Sequence, residues 1–179
     1  MMNEQQCELI FNYAATKDIE NINRVIGFDV VNQPKSVLPI LEKAALSNDP
    51  EEIECALLLL FIGGPFLEAA PVLTNILSPE WHYKHEDIVL ALQTLRAPIA
   101  VDTLFQVALE KYDYLKYDEF YGLARKCTWA LADIGTPEAY EKLLELAKCG
   151  NPVIEGYAQR KIDLWMAEIA RKGYSFIPD

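Results

Sequence analysis

The chain has 179 residues, 51% hydrophobic and 24% charged, with 27 Asp and Glu against 16 Lys and Arg and a formal charge of −11. That balance excludes a disordered chain, and the length suits one domain or one short repeat array. The acidity argues against nucleic acid and against anionic membrane surfaces as partners, because both call for a basic patch.

The opening MMNEQQCELIF lacks a basic stretch followed by an apolar run, so no secretory leader is expected. The longest apolar stretch, Cys55 to Leu67, is interrupted by Gly63, Gly64 and Pro65 and is too short to span a bilayer. The cysteines, Cys7, Cys55, Cys127 and Cys149, form no CxxC pair. A reduced, cytoplasmic protein is the expectation.

Apolar residues recur at helical spacing through most of the chain, and Gly and Pro cut it at short intervals. The spacing predicts helices over 3–15, 18–27, 35–47, 50–62, 66–77, 85–96, 99–111, 119–134, 137–148 and 153–171. Residues 1–179 are read as a single domain. Residues 1–34 form N-terminal capping helices, 35–171 the repeats and 172–179 a non-helical tail that folds back on Tyr174 and Phe176.

The helices repeat. Ile62-Gly63-Gly64-Pro65, Leu95-Arg96-Ala97-Pro98 and Ile134-Gly135-Thr136-Pro137 use one punctuation three times, at intervals of 33 and 39 residues. Cys55, Ile88 and Cys127 occupy one slot before it, and Leu59, Leu92 and Leu131 another. Leu104 and Leu143 match after it. One helix pair cannot bury its apolar face alone, so a two-helix unit of this length predicts an all-α solenoid. The expected architecture is a short right-handed α-α superhelix of about four helix pairs. The cysteines in the repeated slot are read as packing residues, and Trp129 and Trp165 as core.

The pattern Ile-Gly-x-Pro-x-Ala-x-x-x-Leu-Leu resembles HEAT repeats, in particular the short HEAT-like repeats first described in phycobilisome lyases. The resemblance covers roughly residues 36–170 and is strong over 121–147. It departs at Leu123-Ala124, where such repeats usually open with Val-Arg, and at Arg96, where the other copies have Gly. The resemblance implies a fold and a general binding role, not an enzyme.

Motifs for chemistry are sparse. His82 and His85 stand three apart in Glu80-Trp81-His82-Tyr83-Lys84-His85-Glu86-Asp87, a spacing that suits two metal ligands on a helix. Without a third histidine or an HExxH pattern, the reading is a polar turn. Glu86 and Asp87 there favour a helix start. No GxSxG, P-loop or GxGxxG occurs. No catalytic residue, metal or cofactor is assigned.

The 39-residue interval reflects an insertion, residues 110–121, carrying Tyr112, Asp113, Tyr114, Tyr117, Asp118, Glu119 and Phe120. Equivalent turns of a solenoid line up, which would bring this segment beside Trp81, His82 and Tyr83, and those beside Asp49, Glu51 and Glu52. Tyrosines among carboxylates suit Lys and Arg through ion pairs and cation–π contacts. Residues 1–120 carry the whole charge imbalance, whereas 121–179 are neutral. The expected function is non-enzymatic binding of a protein with a basic surface through this acidic, aromatic edge. A bacterial immunity protein holding a basic toxin inactive is one concrete version. The alternatives are an adaptor or assembly factor in a larger complex, or a lyase-type or other enzyme using a pocket on the solenoid.

Overall fold

Pro50, Pro137 and Pro152 each open a helix at its first turn, where the missing N–H costs nothing. Asp49, Thr136 and Asn151 stand just before them, each accepting hydrogen bonds from free backbone amides of that turn. The computed structural model describes residues 2, 4–173 and 176–178, and among them every regular element is helical.

The helices are α1 (Glu4–Phe11), α2 (Tyr13–Thr16), α3 (Ile19–Ile26), α4 (Leu38–Ser47), α5 (Pro50–Gly63), α6 (Ala70–Ile76), α7 (His85–Leu95), α8 (Val101–Leu109), α9 (Gly122–Ile134), α10 (Pro137–Leu146), α11 (Pro152–Asp163) and α12 (Trp165–Lys172). Short 3-10 turns at Pro34–Val37, Leu67–Ala69 and Pro98–Ala100 lead into α4, α6 and α8. No helix of the described residues is long and apolar enough to cross a membrane.

Helices pack as the pairs α4/α5, α6/α7, α8/α9 and α10/α11. The second helices stack on one another in the order α5, α7, α9, α11, while α4 meets α6 and α8 meets α10. The result is the two-layered all-α superhelix expected of a helical repeat chain. α1 packs on α5 and α3 on α1, placing the N-terminal helices against the first repeat. One continuous apolar cluster runs from Cys7 to Trp165.

The repeated slots are core slots. Cys55, Ile88 and Cys127, then Leu59, Leu92 and Leu131, then Leu104 and Leu143, are all fully buried. Burial pushes the thiols of Cys7, Cys55 and Cys127 up from their ordinary range, so they sit as small apolar groups. Gly135 ends α9 in the left-handed region at φ 72°. Arg96 takes the same left-handed position after α7 at φ 48°, a conformation that glycine adopts without steric cost. Gly63 serves differently: a Cβ there would lie 2.6 Å from the Val30 carbonyl oxygen.

Four expectations change. The helix predicted over 3–15 turns at Asn12, which brings α3 back onto α1; Asn3 lies outside the described residues. The helix predicted over 153–171 turns at Leu164, so that Trp165 can bury between Tyr140 and Phe176, with ring centroids at 4.7 and 6.2 Å. Met166, the next residue, is exposed. The helix predicted from 119 starts at Gly122, because residues 110–121 fold as an irregular turn around Asp113–Leu115. Trp129 is not core: it is 44% exposed. In the tail, Phe176 packs as expected, whereas Tyr174 lies outside the described residues.

Candidate functional site: an aromatic edge with a buried imidazole anchor

Equivalent turns do meet along one edge. Lys84 bridges to Glu54 of α5 at 2.5 Å, joining the Tyr83 turn to the Asp49 turn. Tyr83 and Tyr114 meet edge to face with centroids 5.3 Å apart, joining it to the insertion. Tyr157 of α11 donates its hydroxyl hydrogen to the Phe120 carbonyl at 2.7 Å, continuing the edge to the last pair. A groove of about 450 Å³ between the first two turns is lined by Asp49, Pro50, Glu51, Glu54, Tyr83 and Lys84.

Beneath this edge lies a buried cluster of imidazoles and phenols. His82 Nε2 lies 2.6 Å from the Ile76 carbonyl, and a carbonyl can only accept, so Nε2 carries the proton. Its Nδ1 accepts from the Lys84 backbone N–H at 3.1 Å. His85 is built alike: Nε2–H donates to the Pro79 carbonyl at 3.1 Å, and Nδ1 accepts from the Tyr114 hydroxyl at 2.9 Å. The two imidazole centroids are 4.4 Å apart, and Tyr112 packs on His85 at 3.9 Å. The Tyr112 hydroxyl reaches Glu110 at 2.6 Å and the Ser78 carbonyl at 3.2 Å. Burial holds both imidazoles below the ordinary histidine range, His85 at about 4, helped there by the neighbouring His82. Burial also raises the Tyr114 phenol to about 12, with the charge on Glu86 adding to it.

This arrangement sorts the residues that the sequence singled out. Asp49, Glu51, Tyr83, Asp113, Tyr117 and Glu119 are exposed, Tyr83 at 64% and Tyr117 at 81%. Tyr114 is half-buried, with its hydroxyl committed to His85. His82 and Tyr112 are corrections. Both are buried, because their polar atoms satisfy backbone carbonyls and amides that the turn leaves open. Glu52 diverges from Asp49 and lines a separate cleft with Met2, Gln6, Ile40 and Lys43. Trp81 turns the other way from Tyr83, into a groove with Leu46, Val72 and Ile76.

Asp118 is also recast. Its carboxylate accepts from the Phe120 amide at 3.0 Å and the Gly122 amide at 2.5 Å, capping α9 where Tyr121 offers no side-chain cap. Replacing Asp118 by alanine is therefore expected to cost about 1–2 kcal/mol in thermal or urea unfolding. Replacing Asp113, whose exposed carboxylate pairs with Lys116 at 2.8 Å, should leave the melting temperature within about 2 °C of wild type. Equal effects of the two changes would show that the cap is not formed.

Phe120, 75% exposed, belongs to the edge, and so does Lys84, which the sequence did not single out as a contact. A second cleft of about 340 Å³ lies inside the insertion, with Leu115, Leu123 and Ala124 below and Glu110, Glu119, Lys111 and Lys116 around it. Among the described residues no three His, Cys, Asp or Glu side chains gather as a metal-holding group.

Stacked helix pairs with matched core slots define a helical repeat protein. One stretch has a family likeness: residues 123–149, from α9 of the third pair through α10 of the fourth, match the family described as PBS lyase HEAT-like repeat. This stretch is the one in which the sequence resemblance is strongest. No curated protein and no solved structure matches the chain.

Proposed function

We propose that this protein is a non-enzymatic binding module that receives a basic segment of another protein along the Asp49–Tyr83–Tyr114 edge. The observation that carries the reading is the exposed Tyr83 ring, packed against Tyr114 and standing at a groove lined by Asp49, Glu51 and Glu54. Exposed aromatics held rigid by their neighbours lose little side-chain freedom on binding, and carboxylates beside them select a cationic partner. The cleft beside Glu110 and Glu119 suits the aliphatic stem and charged head of a Lys or Arg from that partner.

Affinity capture from the native cell, read by mass spectrometry, tests this. A stoichiometric protein with a basic surface is expected on wild type. Tyr83→Ala combined with Glu51→Lys should hold it at least about tenfold more weakly. Capture of an acidic protein, or equal capture by the variant, rejects the reading. Co-purification of a small molecule with no protein favours a pocket-based enzyme instead. In its narrower form the partner is a toxic basic nuclease domain, and the chain acts as its immunity protein. That form requires this chain, and not the variant, to abolish nuclease activity when mixed with the captured partner. An adaptor or assembly role applies if the partner is a subunit of a larger complex.

A further inference from the structure

A second surface, of opposite character, lies on the layer of second helices. Trp129 of α9 is 44% exposed, with the Arg125 guanidinium 5.6 Å and the Lys161 ammonium 4.9 Å from its ring centroid. Arg125 precedes Trp129 by one helical turn on α9, whereas Lys161 comes from α11, so the arrangement depends on the stacking of the two helices. Among the described residues neither cation takes part in an ion pair.

The neighbouring cations do. Lys126 pairs with Glu86 at 3.0 Å, and Lys172 pairs with Asp133 and with Glu168. In a chain with net charge −11, two cations outside any ion pair among the described residues, over an exposed indole, stand out. Burial lowers the Lys161 pKa; the charge on Glu168 opposes this, and Arg160 and Arg171 add positive potential. Leu90 of α7, equivalent to Trp129 in the repeat register, is 47% exposed, and Leu164 at the end of α11 is exposed as well. The face therefore offers apolar seats on either side of a cationic, aromatic centre.

We infer that the Arg125–Trp129–Lys161 face binds an acidic segment of a partner protein, with carboxylates of that segment meeting Arg125 and Lys161 and apolar side chains seated on Trp129 and Leu90. Charge complementarity selects this occupant. Carboxylates placed there gain charge-assisted contacts with Arg125 and Lys161 and displace no ion pair among the described residues. A nucleic acid fits less well. Phosphate tracking needs a continuous basic stripe, and Glu86, Asp133 and Glu168 interrupt this one.

The test uses the full chain and a displayed library of random peptides. The library is selected on wild type and then depleted on the variant Arg125→Glu with Lys161→Glu. Arg125 is exposed and Lys161 half-buried, and the variant is first shown to melt within a few degrees of wild type. The peptides that survive depletion are expected to be rich in Asp and Glu with interspersed Leu or aromatic residues. They should bind wild type at least about tenfold more tightly than the variant, and Trp129→Ala should weaken them as well. Survival of neutral or basic peptides, or of none, overturns the inference. So does displacement of the acidic peptides by short oligothymidine at lower concentration, which would assign the face to nucleic acid. A concentration-dependent dimer that the variant abolishes would assign it to a second copy and equally overturn it. None of these readouts involves Glu51 or Tyr83, so they stand apart from the test of the acidic edge.

Discussion

Replacing Leu131 by alanine is expected to destabilise the protein by about 2–5 kcal/mol and to lower its melting temperature by roughly 5–15 °C. Leu131 is fully buried on α9, the helix packed by α7, α8, α10 and α11 together. A cavity opened among so many neighbours cannot close by moving one of them, so the upper part of that range applies. Leu59 occupies the same repeat slot on α5, nearer the N-terminal end, where α4, α1 and α7 surround it. Leu59→Ala should cost less if the end of the array relaxes more freely. Leu144→Ala, on the exposed side of α10, is the control and should change stability by less than about 1 kcal/mol. Thermal unfolding monitored by far-ultraviolet circular dichroism decides it. A Leu131→Ala protein that melts like the Leu144→Ala control would mean that the repeat slots are loosely filled.

Acidification is the second large effect. His85 is buried with its pKa lowered from 6.5 to about 4, and that of His82 is lowered too. The unfolded chain therefore binds protons at these imidazoles before the folded chain does. Stability contributed by the neutral rings is complete above about pH 6.5 and is lost as the pH falls towards about 4. For His85 alone the loss amounts to about 3 kcal/mol.

The geometry supplies the mechanism. A proton on His82 Nδ1 would face the Lys84 backbone N–H, two donors with no acceptor between them. A proton on His85 Nδ1 can be met by turning the Tyr114 hydroxyl, yet the second positive charge would then lie 4.4 Å from the first ring. The carboxylates near enough to offset these charges are committed elsewhere, Glu110 to the Tyr112 hydroxyl, Glu86 to Lys126, and Asp87 at the surface toward Lys84. Cys127 contributes nothing, because burial keeps its thiol protonated. The exposed carboxylates with lowered pKa, Asp29 and Glu68, act in the same direction but in a lower pH window. Proton NMR of the two imidazole C2–H resonances tests the assignment. His85 should keep its neutral shift at pH 6, and His82 should titrate below the ordinary histidine range; a midpoint at or above 6.5 for His85 would refute it.

The all-α class, the helix boundaries at Pro50, Pro137 and Pro152, and the repeat register were legible in the sequence because each has a local cause. Helical spacing of apolar residues, proline at the first turn and a left-handed residue after the last turn all act within a few positions. The same register put Cys55, Ile88 and Cys127 in one slot without knowledge of any contact, since stacked copies must bury the same face. It also brought the three turns to one edge, as Lys84–Glu54 and Tyr83–Tyr114 attest.

Direction and partnership were decided only in the folded chain. Whether a turn residue faces outward depends on backbone dihedrals set by distant contacts, so Trp81 and Tyr83 part company, and Tyr112 goes inside to meet Ser78 and His85. Asp118 reads in sequence like Asp113, yet one caps α9 and the other stands in solvent. Trp129 carries the apolar signature of a core residue and is nonetheless exposed. Two cations 36 residues apart in sequence come together over its ring once α11 stacks on α9. Local chemistry determines which helices form and which faces they bury. The packing of one helix on the next determines which polar and aromatic groups are left for a partner.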